Sequence, residues 1–326
     1  MGGAVPSYES SAAQLVMNFN QYFRMKTTIL PFTLFITLLC GTSLPAQKAI
    51  TPVLPADKAV NVNTGIIRWS ADTGNLFDLY LGTTPDPELY KAGLKEMEEK
   101  PVILELNKTY YWKVAENRPG KKPVFSKIFT FSTLPIILNS TIPYSYFVDQ
   151  RDYTVYATTS IKGMDWFAQN LDFDLKEQSW YYDNTDANKV YGKLYSGHAL
   201  KTDPGGLCPE GWRIAVEKEW TQLLDAFGGV KTAGSKLKES SVSYWRKSEV
   251  TRTNSSGMTL LPAGSRDSKP TFANLGKYAT FWTLTPSEET PDSYLTFNLG
   301  FMRDNLIRNA GDPNWSYSIR CIRNNP

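Results

Sequence analysis

Short runs in which apolar and polar residues alternate fill the chain between residues 51 and 133. Residues 65–69 and 76–81 alternate, with the turn chemistry of Ala71-Asp-Thr-Gly74 between them, and 102–106, 109–114 and 127–131 follow in the same manner. A period of two over five or six residues, bounded by Gly, Asp and Pro, predicts strands with one buried face; their spacing predicts a seven-stranded β-sandwich. From Asp149 the pattern changes. Residues 153–156 and 158–160 through 164–171 predict a short hairpin running into an aromatic turn, and aromatic segments at 180–184 and 190–195 continue it. One stretch has a helical period: Val216, Trp220, Leu223, Leu224 and Phe227 share a face, and Gly228-Gly229 ends it. A second short helix is expected over 232–238. Between the two patterns lies 134–148, whose Pro135 and Pro143 would interrupt a ladder, so it is expected to be a stiff linker with a protease-sensitive hinge at 133–149.

The N-terminus carries a different pattern. Residues 29–40 form an apolar run without a charge, behind Met25-Lys26 and ahead of the small and polar Gly41-Thr-Ser-Leu-Pro-Ala46. That length suits the h-region of a secretory signal rather than a membrane span. Cleavage is expected after Ala46, making 25–46 a signal peptide and 1–24 a mis-called start or disordered extension. Cys40 invites lipidation, but Leu39 stands where lipoprotein signals want a small residue. No later apolar run approaches 18 residues, so no membrane span is expected in the mature chain. Lys and Arg number 35 against 32 Asp and Glu, both signs are interspersed, and no basic stripe appears that would speak for a nucleic-acid partner.

The motifs of both halves carry resemblances. Trp69, the Leu-Tyr-Leu-Gly strand ending at Gly82, Thr-Tyr-Tyr-Trp-Lys-Val at 109–114 and the closing Phe-Thr-Phe131 make residues 50–133 look like a bacterial fibronectin type III or Ig-like module. Such a resemblance implies a spacer with Trp69, Tyr110 and Trp112 in its core. In residues 149–326, Trp166-Phe-Ala-Gln-Asn-Leu171, Trp180-Tyr-Tyr-Asp-Asn184, Tyr191-Gly-Lys-Leu-Tyr195, Cys208-Pro-Glu-Gly-Trp212 with Glu219-Trp220, Leu261-Pro-Ala-Gly264 with Arg266, Asn274-Leu-Gly276 with Phe281-Trp282, and Ile319-Arg-Cys321 resemble, in order, the Fibrobacter succinogenes major paralogous domain family. That resemblance implies an α+β C-type-lectin-like fold, with its recognition surface in ordered loops. Two departures stand out: Ile214-Ala-Val216 leaves the helix without a hydroxyl N-cap, and a second cysteine pair found in many members is absent. Cys208 and Cys321, the two cysteines beyond Cys40, are expected to form a disulfide, which in turn implies an oxidising compartment.

Candidate chemistry is sparse. His198 is the single histidine, with no second His or free Cys to complete a transition-metal site, so no metal and no cofactor is expected. Carboxylate pairs at Asp172 and Asp174, Asp183 and Asp186, and Glu288 and Glu289 read as solvated loop acids, and no catalytic residue is expected. Calcium would be the more reasonable ion for Asp/Asn-rich loops, yet Asp312-Pro-Asn-Trp315 only weakly echoes a sugar-lectin motif and reads as a turn. Aromatic side chains are the best binding candidates, because flat rings offer a large amphipathic contact area. Trp166, Trp212, Trp220 and Trp282 are expected in the core, and Trp180, Tyr181, Tyr182, Trp245 and Trp315 on an exposed ligand-binding face. The expectation is an exported, non-enzymatic two-domain protein of the cell envelope, secreted or envelope-associated, whose partner is a glycan or protein at the cell surface. The alternatives are a structural part of an envelope or appendage assembly and, last, a hydrolase.

Overall fold

A computed structural model describes residues 48–202 and 205–324. The expected signal segment, the residues before it and Cys40 lie outside the described residues. The protein is mostly β, arranged in several sheets.

The alternating first segment is a β-sandwich, built from nine strands rather than seven. One sheet holds Thr51–Leu54, Ile67–Ser70 and Glu98–Glu99; the other runs Ala59–Val62, Phe129–Thr133, Thr109–Asn117, Leu76–Gly82, Leu89–Leu94, with Val124–Phe125 on its flank. Side chains one residue apart in a strand point to opposite faces, so Phe77, Leu79 and Leu81 with Tyr110, Trp112 and Val114 form one wall of the core. Ile67 and Trp69 close it from the other sheet. Residues 102–106 keep their alternation, with Val102, Leu104 and Leu106 turned inward, but they are not a ladder strand. Instead the Val102 N–H donates to the Gly65 carbonyl at 2.8 Å and the Glu105 N–H to the Tyr110 hydroxyl at 2.9 Å.

The C-terminal lobe starts with an antiparallel sheet of Ser145–Val148, Val155–Ile161, Met164–Phe167, Cys321–Asn324 and Arg213–Ile214, in that order. Helix Glu217–Ala226 packs Trp220, Leu223 and Leu224 into a cluster with Trp166, Phe281 and Phe297, as its apolar face dictates. The missing N-cap hydroxyl is supplied from elsewhere: the Glu217 N–H donates to Thr285 Oγ1 at 2.8 Å, and Glu219 reaches back to the Val216 N–H at 2.8 Å. The second helix is only one turn, Gly234–Leu237. All four tryptophans expected in the core are there, none more than 5% exposed.

The expected hinge is exposed only in part: Pro135, Ile137, Ser140, Thr141 and Pro143 face solvent, but alternate residues at its start do not. Leu134 and Ile136 are buried with Leu106 of the sandwich against Ala157, Ala168, Val190 and Leu261 of the C-terminal lobe. The sandwich loop also continues onto the edge of the C-terminal sheet, through Gly65 N–H to the Tyr153 carbonyl and Val155 N–H to the Asn63 carbonyl, both 2.7 Å. Prolines broke the local pattern at 135 and 143, but apolar residues beside them gave the segment something to bury. Its last residues, Ser145–Val148, are a strand.

Cys208 and Cys321 form the expected disulfide, their Cα atoms 5.9 Å apart, closing a span of 113 residues. Beside it Arg320 is fully buried. Its Nε donates to Asn170 Oδ1 at 2.8 Å, its Nη1 to the carbonyls of Phe167 and Met258 at 2.7 Å each, and its Nη2 to the carbonyl of Thr259 at 3.2 Å. Burial lowers its pKa to about 9, which leaves it charged at neutral pH. Replacing Arg320 with Met removes the donors of four buried acceptors at once and should cost about 3–5 kcal/mol in a denaturant titration. Arg323→Met, which removes a half-exposed partner of Asp165, should cost about 1 kcal/mol or less. Equal losses for the two variants would contradict the keystone role of Arg320.

Candidate functional site

Two short sheets build the loop-rich side of the lobe. One has the order Ser179–Trp180, Leu194–Ser196, Ser316–Tyr317, Ser265–Arg266, Phe272–Ala273; the other pairs Tyr278–Pro286, Tyr294–Gly300 and Leu306–Ala310. They meet where the Ser318 N–H donates to the Thr280 carbonyl at 3.1 Å and the Trp282 N–H to the Ser318 carbonyl at 3.0 Å.

At this junction lies a cleft of about 320 Å³. Thr280 and Asn298 face each other across two strands, and the Asn298 amide donates to Thr280 Oγ1 at 2.7 Å. Arg303 donates from Nη2 to Asn298 Oδ1, and its guanidinium carbon stands 5.6 Å from the ring centre of Tyr278. Gly300, the register partner of Tyr278, makes that fold-over possible, since a Cβ there would lie 3.1 Å from the Tyr278 ring and 3.3 Å from the guanidinium. The opposite wall is aromatic: Trp315 and Tyr317, ring centres 6.1 Å apart and 34° between planes. Ser265 and Asn274 complete the lining. Its side chains are hydroxyls, amides, rings and one guanidinium; no carboxylate lines it.

The five aromatic candidates do not share one face. Trp315 is half-buried and lines the cleft. In the register of the first sheet, Trp180 stands opposite Leu194 and Arg266 opposite Ser316, while Tyr195 stands opposite Tyr317. Alternation therefore puts Trp180 and Arg266 on one face and Tyr317 and Ser265 on the other. There the Arg266 guanidinium stacks 3.8 Å from the Trp180 ring centre, with Phe272 at 5.8 Å and Tyr182 in turn 5.3 Å from Phe272. Tyr181 turns inward, its ring under the Lys193 ammonium at 4.2 Å and its hydroxyl alongside Asp172. Trp245 is a correction: it is 2% exposed, sits in the core with Leu260 and Trp220, and donates its indole N–H to the Leu260 carbonyl at 3.0 Å. Its polar sequence neighbours concealed a buried acceptor for the one polar atom it carries.

Tyr278, Asn298, Arg303 and Tyr317 were missed. They come from separate elements, and no spacing within any of them marks a site. The other sequence candidates have structural partners. Asp312 and Trp315 close a turn, with Trp315 N–H donating to the Asp312 carbonyl at 3.0 Å, and His198 Nε2 lies 3.2 Å from Asn314 Oδ1. Asp174 pairs with Lys193 at 3.1 Å. Asp172 is buried under the sandwich, where Asn63 donates to it at 2.6 Å. Among the described residues no group of three or more His, Cys, Asp or Glu converges, and no helix is long and apolar enough to cross a membrane.

Burial, opposed by Lys189 and by hydrogen bonding, pushes the Asp172 pKa up to about 7. An unfolded Asp titrates near 3.9, so the folded state holds the extra proton in between. Its stabilising effect is complete below about pH 3.9 and is lost as pH rises through about 7. Asp172→Asn should therefore melt with the parent near pH 4 and be more stable than it near pH 8, by about 2–4 kcal/mol. A variant destabilised more at pH 8 than at pH 4 would show that the charged form is the one the fold prefers.

The family model for the Fibrobacter succinogenes major domain matches residues 154–323, just over half of the 326 residues. No curated protein matches the chain. Among solved structures, an α-L-rhamnosidase from Dictyoglumus thermophilum aligns at 14% identity over 41% of this chain and 18% of its own, with a TM-score of 0.22. The chain thus spans less than a fifth of that structure's length, and the likeness carries no argument about fold or activity.

Proposed function

The chain belongs to the Fibrobacter succinogenes major domain family, and on that footing we propose that it is an exported, non-enzymatic recognition protein of the cell envelope, secreted or held at the surface. In this reading the sandwich is a fibronectin type III or Ig-like spacer and the C-terminal lobe a C-type-lectin-like domain that binds a glycan or protein. The observation that carries it is the Trp315–Tyr317 cleft. Aromatic faces beside fixed hydroxyl and amide groups are what a sugar needs, since its C–H faces stack while its hydroxyls hydrogen-bond.

Details of each lobe support the parts. In the sandwich, the Tyr110 hydroxyl accepts from the backbone five residues upstream, the arrangement that pins strand corners in Ig-like sandwiches. In the lobe, the first and last strands are drawn into one sheet and a disulfide ties the last strand to the start of the helical segment. Export is supported by the apolar run at 29–40 and by that disulfide. A second reading, a component of an envelope assembly, is favoured by Val124, Phe125 and Ile128, which all stand at least 40% exposed beside the edge of the larger sandwich sheet.

The purified protein should bind selectively on a glycan array or capture a protein from the envelope. Trp315→Ala should weaken that binding by about 1 kcal/mol or more with nearly unchanged melting temperature. Self-association without ligand capture would favour the assembly reading, and collapse of the fold in Trp315→Ala would make that ring a core residue.

A further inference from the structure

Resting on the recognition reading of the same cleft, we propose that its ligand is an acidic sugar, a uronate, whose carboxylate is taken by Arg303 while its ring lies against Trp315 and Tyr317. A cleft of about 320 Å³ is at the small end of ligand pockets, enough for the terminal part of an oligosaccharide rather than a long groove for a polymer. Within it the charge is one-sided. Arg303 is the only ionised side chain of the lining. Among the described residues it forms no ion pair, although six of the eleven arginines there, Arg68, Arg118, Arg151, Arg213, Arg308 and Arg323, do.

The guanidinium is nevertheless held in place. Thr280, Asn298 and Arg303 form a hydrogen-bonded row in which Asn298 gives its amide N–H to Thr280 and accepts from Arg303. Tyr278 supports the guanidinium from one side, and Gly300 leaves the space it occupies. Asn298 takes up a single one of five donors; Nε is shielded from water and so out of a ligand's reach, which leaves Nη1 and the other Nη2 hydrogen as the donors a ligand can meet. A positioned cation with Nη donors left open, in a lining without a carboxylate, is completed by an oxyanion brought from outside. A planar carboxylate matches the planar fork of donors, and a cation fixed before binding loses little side-chain freedom when the ligand arrives.

The test measures binding of the full-length protein, prepared from the oxidising compartment, by calorimetry. The probes are oligouronides of galacturonate, glucuronate and mannuronate, the neutral oligosaccharides of the same length, and sulfated oligosaccharides. At least one oligouronide should bind tenfold or more tightly than its neutral counterpart, and that preference should shrink as salt is raised. Arg303→Gln, which can still donate to Asn298, should abolish the preference while leaving neutral-sugar affinity within about twofold; Trp315→Ala should weaken acidic and neutral sugars alike. Arg303→Lys retains charge without the fork and should keep only part of the preference; its melting curve, with that of Arg303→Gln, checks the fold. Neutral sugars bound as tightly as uronates and sensitive to Trp315→Ala would overturn the assignment of Arg303 while leaving the recognition reading in place. A preference for sulfated over carboxylated sugars would overturn the uronate. Binding of no saccharide of any class would overturn both.

Discussion

Arg320 is the interaction on which the C-terminal lobe depends. Its guanidinium is fully buried without a carboxylate partner, so its charge is offset by neutral oxygens and by the ring of Phe281, whose centre lies 5.6 Å away. Those oxygens come from three places in the chain: the end of the first hairpin at Phe167, the turn at Asn170, and the loop at Met258 and Thr259. A cation taken out of water at that cost holds its acceptors wherever they must be, and each acceptor would be an unpaired buried dipole without it. The disulfide one residue later fixes the same strand to the segment that leads into the helix. Two long-range constraints thus meet at adjacent residues, and the irregular region between 238 and 264 is tied to one of them through the carbonyls of Met258 and Thr259.

The motif residues read from the sequence turn out to be parts of that scaffold. Asn170 accepts from Arg320 and donates to the carbonyl of Tyr191 at 2.8 Å, so the Trp-x-Ala-x-Asn-Leu, Tyr-Gly and Arg-Cys segments interlock. Gly192 has a φ of 68°, and a Cβ there would stand 2.8 Å from the Asn170 Cβ, so the turn requires glycine twice over. Trp282 donates to the carbonyl of Tyr195 at 2.8 Å and locks the two loop-side sheets together. The cleft residues lie mostly outside these motifs, on strands whose backbone the scaffold holds. Recognition chemistry can sit there because the rigid part is elsewhere.

That division explains what could be read in advance. Alternation exposed the long central strands of the sandwich, since burial on one face writes a period of two, and the helix at 217–226 declared itself by its apolar stripe and its glycines. Two-residue strands such as Ser265–Arg266 and Phe272–Ala273 cannot show a period, so the sheet that carries Ser265 and Tyr317 was illegible. Trp315 was legible as a half-exposed ring in polar company, and Trp245 was misread for the same reason, because local polarity does not report the tertiary acceptor. Arg303 gave no sign. Its significance is the lack of a carboxylate partner, which is a property of the folded molecule and not of the residues beside it.

The packed segment at 134–138 changes what the sandwich contributes. A flexible spacer would let the lobe reorient, but here bending would expose Leu134 and Ile136 and break the Gly65–Tyr153 and Asn63–Val155 bonds. Two buried aliphatic side chains alone weigh about 3–6 kcal/mol against that exposure. The junction also contains Asp172, whose carboxyl is more comfortable protonated, so its weakest condition is alkaline rather than acid. At acid pH, where that carboxyl is protonated, the sandwich and the lobe should move as one body. The orientation of the cleft relative to the β-sandwich is then set by that packed junction, not by a hinge.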